Sequence, residues 1–160
     1  MTKRCTLVLY FLFSGLLFAQ NVSISPIYQL SKNGEYYGFS VSKQIYSFNH
    51  EKVIWQLTGS VFSGSHWGEK SNLSNFYRAE VGFESKNTMI LGRDFFNIIN
   101  LSYVFTKYQI NENNDRKDLR KNGITASFGL GARIISSLSF TTRYVWGLQN
   151  GIRIGVEYGL

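Results

Sequence analysis

The sequence predicts an all-β protein: an antiparallel up-and-down transmembrane β-barrel of about eight strands. Three observations carry this reading. Apolar and polar residues alternate with period two through most of residues 20–160, a short apolar leader precedes them, and the composition is sticky but poorly charged. Of 160 residues, 16% are Phe, Trp or Tyr and only 17% are Asp, Glu, Lys or Arg. That is too much apolar surface for a disordered chain and too little charge for an ordinary soluble surface.

The leader reads MTKRCTLVLYFLFSGLLFAQ, with Lys3 and Arg4 ahead of an apolar run from Leu7 to Phe18. Such a run is too short for a spanning helix of about 20 residues and has the layout of a signal peptide. Residues 1–19 are therefore expected to be removed after Ala19, leaving 20–160 as one barrel domain. Cys5, the one cysteine, would leave with them, and it lies before the apolar run, not at its end where a lipoprotein acylation site would stand.

In chain order, Val22, Ile24, Tyr28 and Leu30 oppose Ser23, Ser25, Gln29 and Ser31, with Pro26 expected to force a bulge or irregular stretch. Tyr37, Phe39 and Val41 oppose Gly38, Ser40 and Ser42. Val53, Trp55, Leu57 and Val61 oppose Gln56, Thr58 and Ser60, and Tyr77, Ala79, Val81 and Phe83 oppose Arg78, Glu80, Gly82 and Glu84. Ile99, Leu101, Tyr103 and Phe105 alternate with Asn100, Ser102 and Thr106; whether 88–110 makes one long strand or two stays open. Ile124, Ala126, Phe128, Leu130, Ala132 and Ile134 oppose Thr125, Ser127, Gly129, Gly131 and Arg133. Leu138, Phe140, Tyr144 and Trp146 oppose Ser139, Thr141 and Arg143, with Thr142 and Val145 out of step. Ile152, Ile154, Val156, Tyr158 and Leu160 oppose Arg153, Gly155, Glu157 and Gly159.

The polar faces are mostly Ser, Thr, Gly and Gln with few Lys, which suits a barrel interior better than a solvated sheet face. The apolar faces carry Tyr and Trp near strand ends, as interfacial girdles do. The barrel is therefore read as apolar outside and polar inside, in the outer membrane. A soluble periplasmic lipocalin-like binder, packed the opposite way, is the alternative. With both termini periplasmic, short turns are expected at 47–51, 85–87 and 135–137, and outer connections at 32–35, 64–75, 111–121 and 149–151. Asn33-Gly34 and Asn150-Gly151 are hairpin signals.

Arg78, Glu80, Glu84, Arg133, Arg143, Arg153 and Glu157 would all point into the lumen, and Glu157 is expected to reach Arg143 or Arg153. Eight strands leave a lumen that side chains just fill, so ion pairs are expected to plug it. Gly129 and Gly131 would relieve crowding there. His66, Trp67, Arg116, Lys117 and Arg120, in the two long outer connections, are the candidate partner-binding residues.

No catalytic set is expected. A lipid A deacylase of this fold would need Ser, His and an acid within hydrogen-bond reach; the nearest grouping is Ser63, Ser65, His66 and Glu69, without a His-x-Ser motif on a strand face. One Cys and two His make no metal-ligand cluster, and no cofactor is expected. The formal charge of +7 comes from scattered Lys and Arg, whereas a nucleic-acid binder clusters them. The expected partners are outer-membrane lipid and envelope proteins.

The segment SSLSFTTRYVWGLQNGIRIGVEYGL, Ser136 to Leu160, resembles the closing strands of the conjugal transfer protein TraO family. The shared features are Arg143 with Trp146-Gly147 three residues on, a short connection, and a Gly-x-x-x-Gly final strand; Tyr36-Tyr37-Gly38 is also similar. The chain departs in being shorter and in ending on Leu160, where many such barrels end on Phe. The resemblance implies a noncatalytic component of a conjugative transfer apparatus, and it carries over no functional residue.

Overall fold

The computed structural model describes residues 21–32, 34–48, 52–66, 73–88, 94–112 and 115–160. Its strands are β1 (Val22–Ser31), β2 (Gly34–Phe48), β3 (Val53–His66), β4 (Leu73–Asn87), β5 (Phe95–Glu112), β6 (Asp115–Ile135), β7 (Leu138–Trp146) and β8 (Gly151–Gly159). Each pairs antiparallel with the next, and β8 returns to β1 from Ser31↔Gly151 to Ser23↔Gly159, closing the barrel. Closure gives every described strand a neighbour on both sides, so the sheet has no edge strand, as a sheet in hydrocarbon would require.

The alternation resolves into two walls. Phe39, Val61, Leu101 and Ile124 project outward and stay 58–64% exposed, while Ser25, Gln29, Thr58, Ser60, Asn100, Ser102, Thr125, Ser127 and Thr141 are buried inside. The apolar faces thus form the outer surface of a protein whose interior is mostly polar.

Several connections differ from the sequence reading. Pro26 causes no bulge: it pairs with Phe39 in unbroken register, and only the β8 side of the ladder skips it, between Ile24↔Tyr158 and Ile27↔Gly155. A missing N–H removes one bond toward one neighbour and nothing else. Register shifts occur instead between Gln44 and Tyr46, between Ser74 and Tyr77, and between Arg133 and Ile135. The β7–β8 connection is not a two-residue Asn150-Gly151 turn. Gly151 already belongs to β8, Gly147 takes a left-handed φ of 127°, and its N–H donates to Asn150 Oδ1 at 2.8 Å. Residues 85–87 extend β4, and most of 111–121 is strand, in a β5–β6 hairpin of 18- and 21-residue strands that outruns its neighbours. β5 begins at Phe95, and 89–93 fall outside the described residues, as do 1–20 with the expected leader.

Glycines set the width of the lumen at two places. A Cβ on Gly131 would run into the Phe96 ring, and one on Gly129 would strike the Thr142 carbonyl and lie 2.6 Å from the Arg143 Cα. A ring can swing aside, but backbone cannot. Gly129→Ala should therefore cost about 1–3 kcal/mol through overpacking, read as a lowered urea midpoint, and Gly131→Ala should cost less.

Candidate functional site

The interior is layered from the end away from the termini. There Ile27, Tyr36, Phe62 and Phe76 form a buried apolar cap with Tyr108 against it, and the Tyr36 and Phe76 rings lie 4.6 Å apart. Beneath the cap, the guanidinium groups of Arg153 and Arg78 sit 4.7 and 5.5 Å from the Phe62 ring centre. Both serve Glu80. Arg153 donates to its two oxygens at 2.8 and 3.0 Å, and Arg78 pairs with Oε1 as well. Gln29 Oε1 accepts from Arg153 Nε and Nη2 at 3.2 and 2.9 Å, Arg78 Nη1 donates to Gln149 Oε1 at 3.0 Å, and Gln29 Nε2 donates to the Gln149 carbonyl at 3.2 Å. The network thus ties β1, β4 and β8 to the β7–β8 connection.

Nearer the termini, Arg143 Nη1 lies 2.5 Å from Glu84, while Lys86 is 3.8 Å from Glu84, pairs with Glu157, and stands 5.7 Å from the Phe96 ring centre. Four buried or half-buried cations thus meet three carboxylates. A pocket of about 20 Å3 is lined by Glu80, Glu84, Arg143 and Arg153 together with Ser25, Ser40, Ser42 and Asn100, room for about one water. The mouth beside Asn21 and Leu160 holds a cavity of about 320 Å3 lined by Gln56, Lys86, Phe96, Arg133, Ser139 and Glu157.

Arg78, Glu80, Glu84, Arg143, Arg153 and Glu157 share this interior, but two expectations need correction. Arg133 is exposed at the mouth, next to the β6 register shift, and has no place in the buried network. Glu157 is held by Lys86 rather than by Arg143 or Arg153, which are taken up by Glu84 and Glu80. Lys86 was missed because Ser85-Lys86-Asn87 reads as a turn; its parity with Glu84 was the available signal. Glu157→Gln should cost about 1–3 kcal/mol by leaving a buried ammonium poorly satisfied. The same change made on Lys86→Met should cost clearly less, and urea unfolding of the two singles and the double measures that coupling.

The candidate partner residues lie at the opposite end. Arg120 is exposed on β6 and stands directly across from Lys107 of β5. Lys107 Nζ is 2.7 Å from Asp118, and Gln109 Nε2 donates to the same carboxylate at 2.8 Å. These bonds, with Lys107's first, hold the exposed Asp118 carboxyl below its ordinary range. Arg116 and Lys117 are on β6, paired with Asn111 and Ile110, and His66 ends β3; the side chains of these three, and the whole of Trp67, are outside the described residues. Ser63 and Ser65 are exposed on β3, and Glu69 is likewise outside the described residues.

No family model matches the chain and no curated protein is similar to it in sequence, so the TraO resemblance stays with the residues that carry it. The backbone, in contrast, matches solved structures. The N-terminal β-barrel domain of Pseudomonas aeruginosa OprF superposes with a TM-score of 0.67 at 10% identity, over 89% of this chain and 98% of that one. The fold is that of a small outer-membrane β-barrel. Ail, the attachment invasion locus protein of Yersinia pestis, gives 0.57 at 13% identity, covering 88% and 97% of the two chains, and Neisserial surface protein A gives 0.52 at 8%, covering 86% and 94%. At such identities the likeness is one of fold, and no side chain's role is transferred.

Proposed function

We propose that the chain is a noncatalytic outer-membrane β-barrel, exported by a signal peptide cleaved after Ala19, with its termini in the periplasm and residues 20–160 forming the barrel. One observation supports this most: an outward wall of Phe, Val, Leu and Ile around a lumen crossed by ion pairs, with about 20 Å3 left among Glu80, Glu84, Arg143 and Arg153. A soluble barrel would waste that wall, and a diffusion pore would need an open interior. The plug charges Arg78, Glu80, Glu84, Lys86, Arg143, Arg153 and Glu157 make a rigid post. The contact surface for an envelope partner is the outer end, with His66, Trp67, Arg116, Lys117 and Arg120.

Expressed protein should fractionate with the outer membrane, migrate differently before and after heating, and give no steady single-channel conductance in planar bilayers. Recovery in the soluble periplasmic fraction would overturn the reading. The C-terminal resemblance to the TraO family supports conjugative transfer as the process, and deletion should then lower transfer frequency from a donor; unchanged frequency would remove that part.

A further inference from the structure

Along β5 the outward residues run apolar through Ile99, Leu101, Tyr103 and Phe105, then change to Lys107. Along β6 they run from Ile134 to Ile124, then change to Asn122 and Arg120. The boundary between hydrocarbon and headgroups therefore crosses these strands between Phe105 and Lys107, on the membrane placement proposed above. At that height the wall is not smooth. Val61, Tyr77, Ala79, Phe105, Lys107 and Arg120 line a groove of about 440 Å3, apolar below and basic at its upper rim.

Lys107 and Arg120 are directly opposed in the β5–β6 ladder, and like charges facing each other across a strand pair repel. Asp118 accepts from Lys107 at 2.7 Å and adds a weaker attraction for Arg120, so one carboxylate faces two cations. We propose that this groove binds a phosphorylated lipid of the outer leaflet, its phosphate between Lys107 and Arg120 and an acyl chain along Val61, Ala79 and Phe105. A guanidinium fork matches phosphate oxygens and an ammonium adds a second charge. The groove opens onto the lipid-facing wall, and its volume is in the range of small-ligand sites. That position favours a lipid over a free anion, whose approach from water would leave the apolar floor empty.

The test is native mass spectrometry of the detergent-extracted barrel with diphosphoryl lipid A, dephosphorylated lipid A, or inorganic phosphate as probes. Wild type should retain the diphosphoryl form over the dephosphorylated one by about tenfold, and millimolar inorganic phosphate should not displace it. The Lys107→Gln/Arg120→Gln double variant should lose the preference, while Lys43→Gln, changing an exposed cation toward the other end of the wall, should keep it. Equal retention of the two lipids by wild type, an undiminished preference in the double variant, or displacement by inorganic phosphate would each overturn the proposal. Insertion is read separately from heat-modifiable migration, so a folded, inserted barrel without lipid preference sinks this inference and leaves the membrane reading standing.

Discussion

Replacing Glu80 by alanine is expected to cost about 3–5 kcal/mol, the usual loss when one partner of a buried charge pair is removed. Glu80 is 3% exposed and Arg78 2%, and with its carboxylate gone two guanidinium groups remain beneath an apolar cap with too few acceptors. Arg153 would keep the side-chain amide oxygen of Gln29 and Arg78 that of Gln149, which are dipoles where charges were. Against a typical total of about 5–15 kcal/mol, such a loss removes much of the stability. Glu80→Gln should cost less, since the amide oxygen still accepts one bond, and Arg153→Gln on that background should recover part of the loss. Asp118→Asn, at a solvated ion pair, should leave the midpoint within error. Urea unfolding in detergent or bilayers measures these four and Arg153→Gln alone, and additive effects of Glu80→Gln and Arg153→Gln would show that the two do not interact as the geometry requires.

The second large effect is on the outer wall. Leu101 is 58% exposed at the middle of the outward apolar run of β5, and Leu101→Arg should cost about 2–4 kcal/mol if that level is the bilayer midplane. Asn122→Arg, on the same wall but past the end of the apolar band, should cost little. The contrast between the two separates a lipid-facing surface from one wetted by solvent, where both arginines would be tolerated. Outer-membrane yield and the heat-modifiable band supply the readout in cells, and unfolding in bilayers supplies the energy.

The fold was legible in the sequence because a barrel's two walls impose period two on every strand, and strands such as β8 carry it without a break. What escaped was whatever broke that code for a local reason. Ile27, Tyr36, Phe62, Phe96, Ile98 and Val104 point inward, and an apolar residue on a polar face looks like noise until the barrel is closed and its lumen is seen to need filling. The 111–121 stretch has charges on both faces and so no alternation, yet pairing with β5 holds it in register from Glu112↔Asp115 onward. Parity alone could place Arg78, Glu80, Glu84, Arg143, Arg153 and Glu157 inside, but not who meets whom. Partners across the lumen come from strands far apart in sequence, as with Arg153 and Glu80 or Lys86 and Glu157. Arg133 had the right parity and the wrong depth, since a strand's face is written in the sequence and its height above the mouth is not.

The most direct test of the apolar-out, charge-in barrel is lipid exposure along β5. The described residues contain no cysteine, so single nitroxide labels at Ile99→Cys, Leu101→Cys and Tyr103→Cys, with Asp118→Cys beyond the basic rim as reference and Cys5 replaced by serine wherever the leader is retained, report one site each. In reconstituted vesicles, the three β5 labels should collide with lipid-dissolved oxygen more than with a water-soluble nickel reagent, and the Asp118 label should show the reverse. If the β5 labels met the nickel reagent as readily as the Asp118 label does, the apolar wall would face water and the membrane barrel would be wrong.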